Sequence, residues 1–226
     1  MKIIAHIQTD FPEKFGIPRQ SGLVDSLQGK IILEPEYRNP EIVRGLEAFS
    51  HIWLLWDFSL CHKDNWSATV KPPRLGGKKR LGVFATRSPY RPNPIGLSCV
   101  RLLRVEQEEG LGPVLYVAGA DLMNGTPLYD IKPYIPVADC HPEASEGYTE
   151  ETRKHSLSVV FPEELLAILP LEKRQAAIGI LAQDPRPAYV MDPERTYGVC
   201  FASYNLKFRV AGEILTVTAV ERNSDS

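Results

Sequence analysis

The chain has 226 residues, a formal net charge of −2 at pH 7 and 43% hydrophobic residues. This composition is ordinary for a globular protein with its own core, and the length suits one large domain or one domain with a smaller appendage. The weak net charge argues against a protein that coats nucleic acids indiscriminately, and no apolar run approaches the length of a membrane span.

The cysteines indicate a reducing compartment. The four are irregularly spaced with no Cys-x-x-Cys pair, which is poor material for a disulfide framework. The N-terminal segment reaches Asp10 before an apolar stretch can form a signal peptide, so we expect a cytoplasmic protein without membrane association. Two cysteines precede histidines, in Cys61-His62 and Cys140-His141. A zinc site built from both pairs is conceivable, but structural sites usually space their ligands roughly two to four residues apart, so we predict no metal.

Positive charge is concentrated in one segment. Between Asn65 and Val105 there is no Asp or Glu, whereas nine of the 26 Lys and Arg residues fall there. A basic segment on an otherwise acidic chain provides a site for a polyanion. A solvated loop that only keeps the protein soluble is an equal alternative on the charge run alone.

The first half of the chain predicts short strands and little helix. Residues 3–8 and 30–37 are expected to be strands. Asn39 is the expected cap of a short helix that ends at 46–48. The apolar run 51–58 predicts a strand that is buried on both faces.

Four further strands, divided by Pro, Asn and Gly, are expected at 80–85, 96–106, 114–120 and 128–134. Seven short strands with one short helix predict an antiparallel sheet closed into a barrel. Helical crossovers are too few for a doubly wound parallel sheet.

The pattern changes in the last third of the chain. Residues 138–154 are rich in Glu, Ser, Gly and Pro and predict a linker. A strand, a helical region broken at Pro170 and two or three more strands follow, at 156–161, 162–182 and 197–220. We therefore predict a barrel domain over 1–140 and a small α+β domain over 156–226.

Familiar catalytic motifs are missing from the sequence. There is no Gly-x-Gly-x-x-Gly after a strand, no Walker A loop, no His-Glu-x-x-His and no Gly-x-Ser-x-Gly. Four loops rich in Pro or Gly carry reactive or basic side chains instead, at 15–20, 84–96, 121–127 and 182–189. The second has three prolines in six residues, which hold it extended and pre-order Arg87 and Arg91. For each loop, a turn that serves only the fold is the alternative.

Longer motifs, taken together, closely resemble one family. They are PRQ (18–20), RGLEAFSHIW (44–53), PPRLGG (72–77), GVFATRSPYRPNPIGLS (82–98), DIKPYIP (130–136) and QDPRPAY (183–189). In this order they are similar to the TsaA-like, or TrmO, family of tRNA (adenine-N6)-methyltransferases, and they extend over nearly the whole chain.

The resemblance implies a mainly β fold, with an antiparallel β-barrel methyltransferase domain and a small C-terminal α+β domain that assists tRNA binding. It also implies S-adenosyl-L-methionine as cofactor, tRNA as partner, no DNA, and a homodimer with the cofactor near the subunit interface. The implied reaction methylates N6 of N6-threonylcarbamoyladenosine, at the position 3′ of the anticodon. Two alternatives remain: a non-catalytic oligonucleotide-binding barrel, and a methyltransferase of the same fold that acts on a small metabolite.

The resemblance also implies site residues, carried over by motif. The cofactor-binding set is Pro18, Arg19, Gln20, Ser59, Leu60, Arg87, Leu97, Asp121, Leu122, Asn124, Gly125 and Thr126. For the chemistry, Arg87 or Arg91 can place a cation near the acceptor's carbonyl oxygen, and Asp121 or Tyr90 can accept its proton. The expected contacts to RNA phosphates are Lys78, Lys79, Arg80, Arg91 and Arg186.

Overall fold

The secondary structure is known from a computed structural model that describes residues 1–62, 65–72, 79–152, 156–186, 192 and 194–223. The strands in these ranges are β1 (Ala5–Gln8), β2 (Gln28–Leu33), β3 (His51–Asp57), β4 (Thr69–Val70), β5 (Leu81–Gly82), β6 (Ile95–Glu108), β7 (Gly112–Ala118), β8 (Thr126–Pro133), β9 (Ser158–Val160), β10 (Tyr197–Phe201), β11 (Tyr204–Ala211) and β12 (Ile214–Arg222). The α-helices are α1 (Pro136–Asp139), α2 (Glu163–Leu166) and α3 (Leu171–Ala182). Short 3-10 helices cover Pro35–Tyr37, Pro40–Val43, Leu46–Ala48, Val83–Ala85 and Gly147–Thr152. None of the helices in the described ranges is long and apolar enough to cross a membrane.

Six strands close into an antiparallel barrel in the order β1–β2–β7–β6–β3–β8. Alternate residues of a strand face the barrel interior, as the two-residue period of a strand requires. In β3 these are Ile52, Leu54 and Trp56, which share one core with Val100 of β6 and Leu115 of β7. Closure leaves the sheet without open edges. The predicted mainly β fold with a barrel is confirmed, although the barrel contains six strands rather than seven.

The prediction that β3 is buried on both faces is wrong. Its outward residues are only half-buried. The Trp53 indole Nε1 lies on this outer side and donates to the Asp139 carboxylate of α1 at 3.0 Å, while the Tyr134 ring packs 5.7 Å away. The apolar run therefore reflects partial cover by the chain that follows β8.

Three local predictions also need correction. The expected strand 80–85 contains only the two residues of β5, because the Thr86 hydroxyl donates to the Val83 carbonyl at 2.9 Å and closes a 3-10 turn. The second strand ends at Leu33, and the 3-10 helix at Pro35–Tyr37 follows it. The Asn39 cap is present, since its side chain accepts from the Glu41 backbone, but the helix that it begins is a single 3-10 turn.

The C-terminal part is a four-stranded sheet with the order β10–β11–β12–β9. Strand β9 runs parallel to β12, and the other pairs are antiparallel. Helix α3 begins directly after Pro170, where the sequence predicted a break, and it buries Ala176, Ala177 and Ile180. This arrangement confirms the small α+β part of the predicted fold.

The loop between β1 and β2 joins the two parts of the molecule. Its residues Phe11, Val24 and Leu27 are buried in the core of the C-terminal sheet and α3. The Phe11 ring lies 5.7 Å from the Phe201 ring. Helix α3 approaches closely at Gly179, where a Cβ atom would come within 2.5 Å of Val24. The predicted domain limits, 1–140 and 156–226, stay predictions, but this loop from the first range completes the core of the second.

Candidate functional site

A cavity of 710 Å³ opens at the end of the barrel where β3 ends and β6 and β8 begin. Its walls come from four separate segments: the β1–β2 loop, the residues after β3, the proline-rich loop before β6 and the turn before β8. The volume falls within the range of about 300–1,000 Å³ that small-molecule sites occupy. We call this cavity the barrel cleft.

Most of the predicted cofactor residues lie in the barrel cleft. Those that line it are Pro18, Arg19, Gln20, Ser59, Leu60, Arg87, Leu97, Asp121, Leu122 and Thr126. Asn124 and Gly125 do not line it. The Asn124 side chain turns to the other side of its loop and accepts from the Thr9 backbone N–H at 3.1 Å, while the Gly125 N–H donates to the Ile7 carbonyl at 2.8 Å. These two residues fasten the turn to β1 rather than facing the cavity.

Arg87 and Gln20 are brought together although 67 positions separate them. The Arg87 guanidinium donates to the Gln20 side-chain oxygen across the cleft wall. Arg91 also lines the cleft, and its Nη1 donates to the Thr86 carbonyl at 3.1 Å, which fixes the direction of the side chain. Tyr90 is 46% exposed and is not part of the cleft lining. The proline-rich loop therefore points both arginines, but not this tyrosine, at the cavity.

Asp121 is held at the floor of the cleft by a chain of buried hydrogen bonds. The Ser98 hydroxyl donates to Asp121 Oδ1 at 2.6 Å, and the Trp56 indole Nε1 donates to Ser98 Oγ at 3.0 Å. Burial raises the pKa of Asp121 above the usual value of an aspartate. The Ser98 hydrogen bond and the positive charge of Arg87 oppose that rise in the pKa of Asp121. The sequence did not reveal Ser98 or Trp56 as site residues, because their role depends on pairing between β3 and β6.

The close pairing of β3 and β6 depends on one glycine. Gly96 lies opposite Trp56 in the register of the two strands. A Cβ atom at Gly96 would come within 2.1 Å of the indole ring. The indole therefore occupies the space that a side chain at position 96 would fill, and its Nε1 reaches Ser98.

A second carboxylate in the cleft wall was also missed by the sequence analysis. Asp57 is the last residue of β3, is only 9% exposed and lines the cleft. Its Oδ1 lies 2.7 Å from Nε2 of His62, and it also accepts a hydrogen bond from Tyr129. The available signal was a lone aspartate at the end of an apolar strand, followed five residues later by a histidine.

The predicted RNA contacts differ in their exposure to solvent. Lys79 and Arg80 are exposed beside β5, where the Arg80 Nε donates to Thr69 Oγ1 at 2.7 Å. Lys78 lies outside the described residues. Arg186 is not presented to solvent, since its side chain is 9% exposed and its Nε and Nη2 donate to the two carboxylate oxygens of Asp184 at 2.8 and 2.9 Å. Because the guanidinium of Arg186 is buried in this ion pair, little of its surface is accessible to a phosphate.

The two Cys-His dipeptides lie in different surroundings. His62 contacts Asp57, whereas His141 lies 3.6 Å from Glu143. Cys61 is buried and accepts from the Lys14 ammonium at 3.3 Å, while Cys140 is exposed. Among the described residues, no group of three or more His, Cys, Asp or Glu side chains is arranged to hold a metal ion.

A closed antiparallel barrel with a cleft of this size at its mouth, lined by arginines and carboxylates, is typical of β-barrel proteins that bind a charged small molecule. The chain matches the family model of the tRNA-methyltransferase O N-terminal domain over residues 6–140 and that of the TrmO C-terminal domain over residues 154–223. It belongs to the TrmO family.

Relatives with curated names and solved structures agree with this assignment. The tRNA (adenine(37)-N6)-methyltransferase of Escherichia coli (strain K12) is 43% identical over 96% of this chain and 96% of its own length. A putative S-adenosylmethionine-dependent methyltransferase of Pseudomonas aeruginosa is 40% identical over 87% of this chain and 86% of its own length. The crystal structure of TrmO from P. aeruginosa superposes with a TM-score of 0.78 at 34% identity, covering 98% of this chain and 95% of that one.

Proposed function

We propose that this chain is an S-adenosylmethionine-dependent tRNA methyltransferase that acts on N6 of adenine 37, as the name of its E. coli relative states for that protein. The acceptor in this proposal is N6-threonylcarbamoyladenosine, which becomes its N6-methyl derivative. The observation that supports it best is the convergence of arginines, a buried carboxylate and apolar side chains from four separate chain segments on one cleft.

The chemistry of the cleft fits S-adenosylmethionine. Arg19 and Arg87 are suited to the carboxylate of its methionine part, because guanidinium groups bind carboxylates in a forked geometry. Asp121 is suited to its hydroxyl or ammonium donors, since an ionised carboxylate only accepts hydrogen bonds. Leu60 and Leu97 offer apolar surface beside these polar groups. When bound, the cofactor supplies an electrophilic methyl group carried on a sulfonium.

The remaining task of the protein is to prepare the acceptor nitrogen. N6 of threonylcarbamoyladenosine belongs to a urea-like group and is a weak nucleophile while it keeps its proton. Arg91 is fixed in the cleft wall by Thr86, and a cation there would stabilise negative charge on the neighbouring carbonyl oxygen. The threonyl carboxylate of the acceptor adds a second anion, and three arginines together with Lys14 line the cleft for the two anions.

The basic segment beside the cleft supports a polyanionic partner. Lys79 and Arg80 are exposed there, and phosphate contacts from such residues fix the register of an RNA without reading its sequence. We place tRNA across this edge of the barrel, with the C-terminal domain assisting, in the cytoplasm where free thiols such as the four cysteines persist.

A homodimer is part of the proposal, and the apolar surface around the cleft supports it. Phe84, Leu60 and Leu97 are 75%, 61% and 49% exposed, although each of them lines the cleft. A second subunit that covers this surface would remove it from water and place the cofactor near the interface. Sedimentation of the wild-type protein beside Phe84→Glu should give a dimer and a monomer, respectively. A monomeric wild type would remove the dimer from the proposal.

Two measurements test the function against its alternatives. Calorimetric titration with S-adenosylmethionine should give saturable binding that Arg87→Ala weakens, whereas a plain oligonucleotide-binding barrel would give no heat of binding. Nucleoside mass spectrometry of tRNA from a deletion strain should show that N6-methyl-threonylcarbamoyladenosine is lost and its unmethylated precursor accumulates. An unchanged level of the methylated nucleoside, with cofactor binding intact, would favour a small metabolite as acceptor.

A further inference from the structure

The Asp57, His62 and Tyr129 cluster at the cleft rim has no part in the function described so far. Asp57 is a buried carboxylate that lines the cleft, and His62 follows Cys61, another lining residue. The His62 side chain is 55% exposed and is not part of the cleft lining, but it contacts Asp57, which is. Among the histidines described, only His62 contacts a buried carboxylate of the cleft wall.

The hydrogen bonds of this cluster fix the orientation and the tautomer of the imidazole. An ionised carboxylate accepts hydrogen bonds and donates none, so the 2.7 Å contact requires that Nε2 of His62 carry the proton and donate it to Asp57. Burial raises the pKa of Tyr129, and its hydrogen bond to Asp57 raises that pKa further. Tyr129 therefore remains protonated and acts as a permanent donor that holds Asp57 from the other side. With one proton on Nε2, the imidazole has its lone pair on Nδ1.

A carboxylate that orients an imidazole in this way is the arrangement by which proteins prepare a histidine to accept a proton. Asp121, the cleft carboxylate considered for this role, is less suitable, because the Ser98 hydroxyl already donates to it. If the cofactor fills the cavity, the acceptor nucleoside must enter from the rim. His62 is at that rim.

We propose that His62, positioned by Asp57, is the general base that removes the N6 proton of the methyl acceptor; this inference rests on the proposed function. The proton moves from N6 to Nδ1 of His62. The freed electron pair forms the N6–methyl bond, the methyl–sulfur bond breaks with its electron pair remaining on the neutral thioether, and His62 then returns its proton to water. Asp57 does not touch the acceptor and is a positioning residue.

The experiment compares three variants with the wild type in single-turnover methylation of tRNA that carries threonylcarbamoyladenosine. His62→Gln should lower the rate about 100-fold or more, the usual contribution of a positioned base, with unchanged affinities for S-adenosylmethionine and for tRNA. Asp57→Asn should also lower the rate, with an unchanged affinity for tRNA. The matched control is His141→Gln, which alters the histidine of the other Cys-His dipeptide and should methylate at the wild-type rate.

Two readouts separate a base from a residue that only supports the loop. Added imidazole should restore part of the rate of His62→Ala, because a small base can then occupy the gap. In the protein alone, nitrogen NMR should show His62 protonated on Nε2, with this preference lost in Asp57→Asn.

A His62→Gln rate within about threefold of the wild type would overturn the inference, since a positioned base contributes more than that. A slow rate without imidazole rescue would also overturn it. The proposed function fails separately, when the wild-type protein itself does not methylate this tRNA.

Discussion

At the scale of single residues, the site places a carboxylate where burial removes part of its contact with water. Asp121 is half-buried beneath the cleft, and its pKa is raised because burial disfavours the charged form. Ser98 offsets part of this cost, and Ser98 is in turn oriented by Trp56. A carboxylate in this position lowers the stability of the protein without ligand, but it can accept hydrogen bonds from a polar ligand.

Replacing Asp121 by Asn should therefore stabilise the protein at neutral pH while it weakens cofactor binding. Burial raises the pKa of Asp121 in the folded state, so this group favours the folded protein at low pH. This stabilisation is complete below the pKa of Asp121 in the unfolded chain and is lost as the pH rises through its pKa in the folded protein. The gain in melting temperature of Asp121→Asn should accordingly be largest at neutral pH and shrink on acidification. Thermal melts of both proteins from acidic to neutral pH test this prediction. An Asp121→Asn variant that melts below the wild type at neutral pH would contradict it.

At the scale of secondary structure elements, the cleft floor depends on how closely β3 and β6 approach. Gly96 is the contact point, because its missing side chain leaves room for the Trp56 indole. The same indole provides the hydrogen bond to Ser98, so packing of the two strands and orientation of Asp121 are linked.

Gly96→Ala should lower the free energy of unfolding by about 1–3 kcal/mol, as is usual when a packed site is overfilled. It should also weaken S-adenosylmethionine binding, because the displaced Trp56 no longer holds Ser98. Gly82→Ala is the control, since its Cβ would meet no atom within 4 Å and its φ is −56°. Urea unfolding and calorimetry of both variants measure the two effects, and equal behaviour of the two would contradict the argument.

The sequence predicted the elements best where the signal was local. The Asn39 cap and the break at Pro170 were confirmed because each depends on residues within one turn. The closed barrel followed from the number of short strands. The strand expected at 80–85 failed because the Thr86 hydroxyl closes a turn there, which an apolar pattern does not reveal.

The site was predictable as a set of loops but not as a set of contacts. Arg87 and Gln20 belong to quoted motifs, yet their contact joins segments that only the closed barrel brings together. Ser98 is inside a motif, but nothing local indicates that it donates to Asp121. The sequence also predicted Arg186 as an RNA contact. In the structure Arg186 donates to the nearby Asp184 carboxylate, and a local motif does not reveal this internal ion pair.

At the scale of the whole molecule, one loop belongs to both parts of the chain. Phe11 lies in the loop that follows β1, is 1% exposed and packs against Phe201 of the C-terminal sheet. The Asn124 N–H donates to the Phe11 carbonyl at 2.8 Å, so this loop also holds the turn that follows Asp121. The two parts should therefore unfold together.

Phe11→Ala should remove about 3–5 kcal/mol from the free energy of unfolding, because a buried ring leaves a cavity. The loss should appear in a single transition shared by barrel and C-terminal signals. Val137→Ala removes a side chain that is 93% exposed and should leave stability nearly unchanged. Separate transitions for the two parts in Phe11→Ala and in the wild type would contradict a shared core.

The charge distribution makes a prediction about tRNA binding. Lys79 is exposed in the basic segment and is expected to contact a phosphate. Lys79→Ala should weaken tRNA binding and lower the slope of log affinity against log salt by about 1, with unchanged cofactor affinity. Lys2→Ala, outside the basic segment and paired with Glu36, is the control. An unchanged slope for Lys79→Ala would remove this residue from the interface.

The central claim is methyl transfer to a threonylcarbamoylated adenosine of tRNA, and the purified reaction tests it most directly. The protein is incubated with S-adenosylmethionine and either tRNA carrying N6-threonylcarbamoyladenosine or the same tRNA lacking that group, and the nucleosides are resolved by mass spectrometry. We expect the first tRNA to gain one methyl group on N6 of this nucleoside and the second to remain unmethylated. Bound cofactor without methylation of either tRNA, or equal methylation of both, would contradict the account.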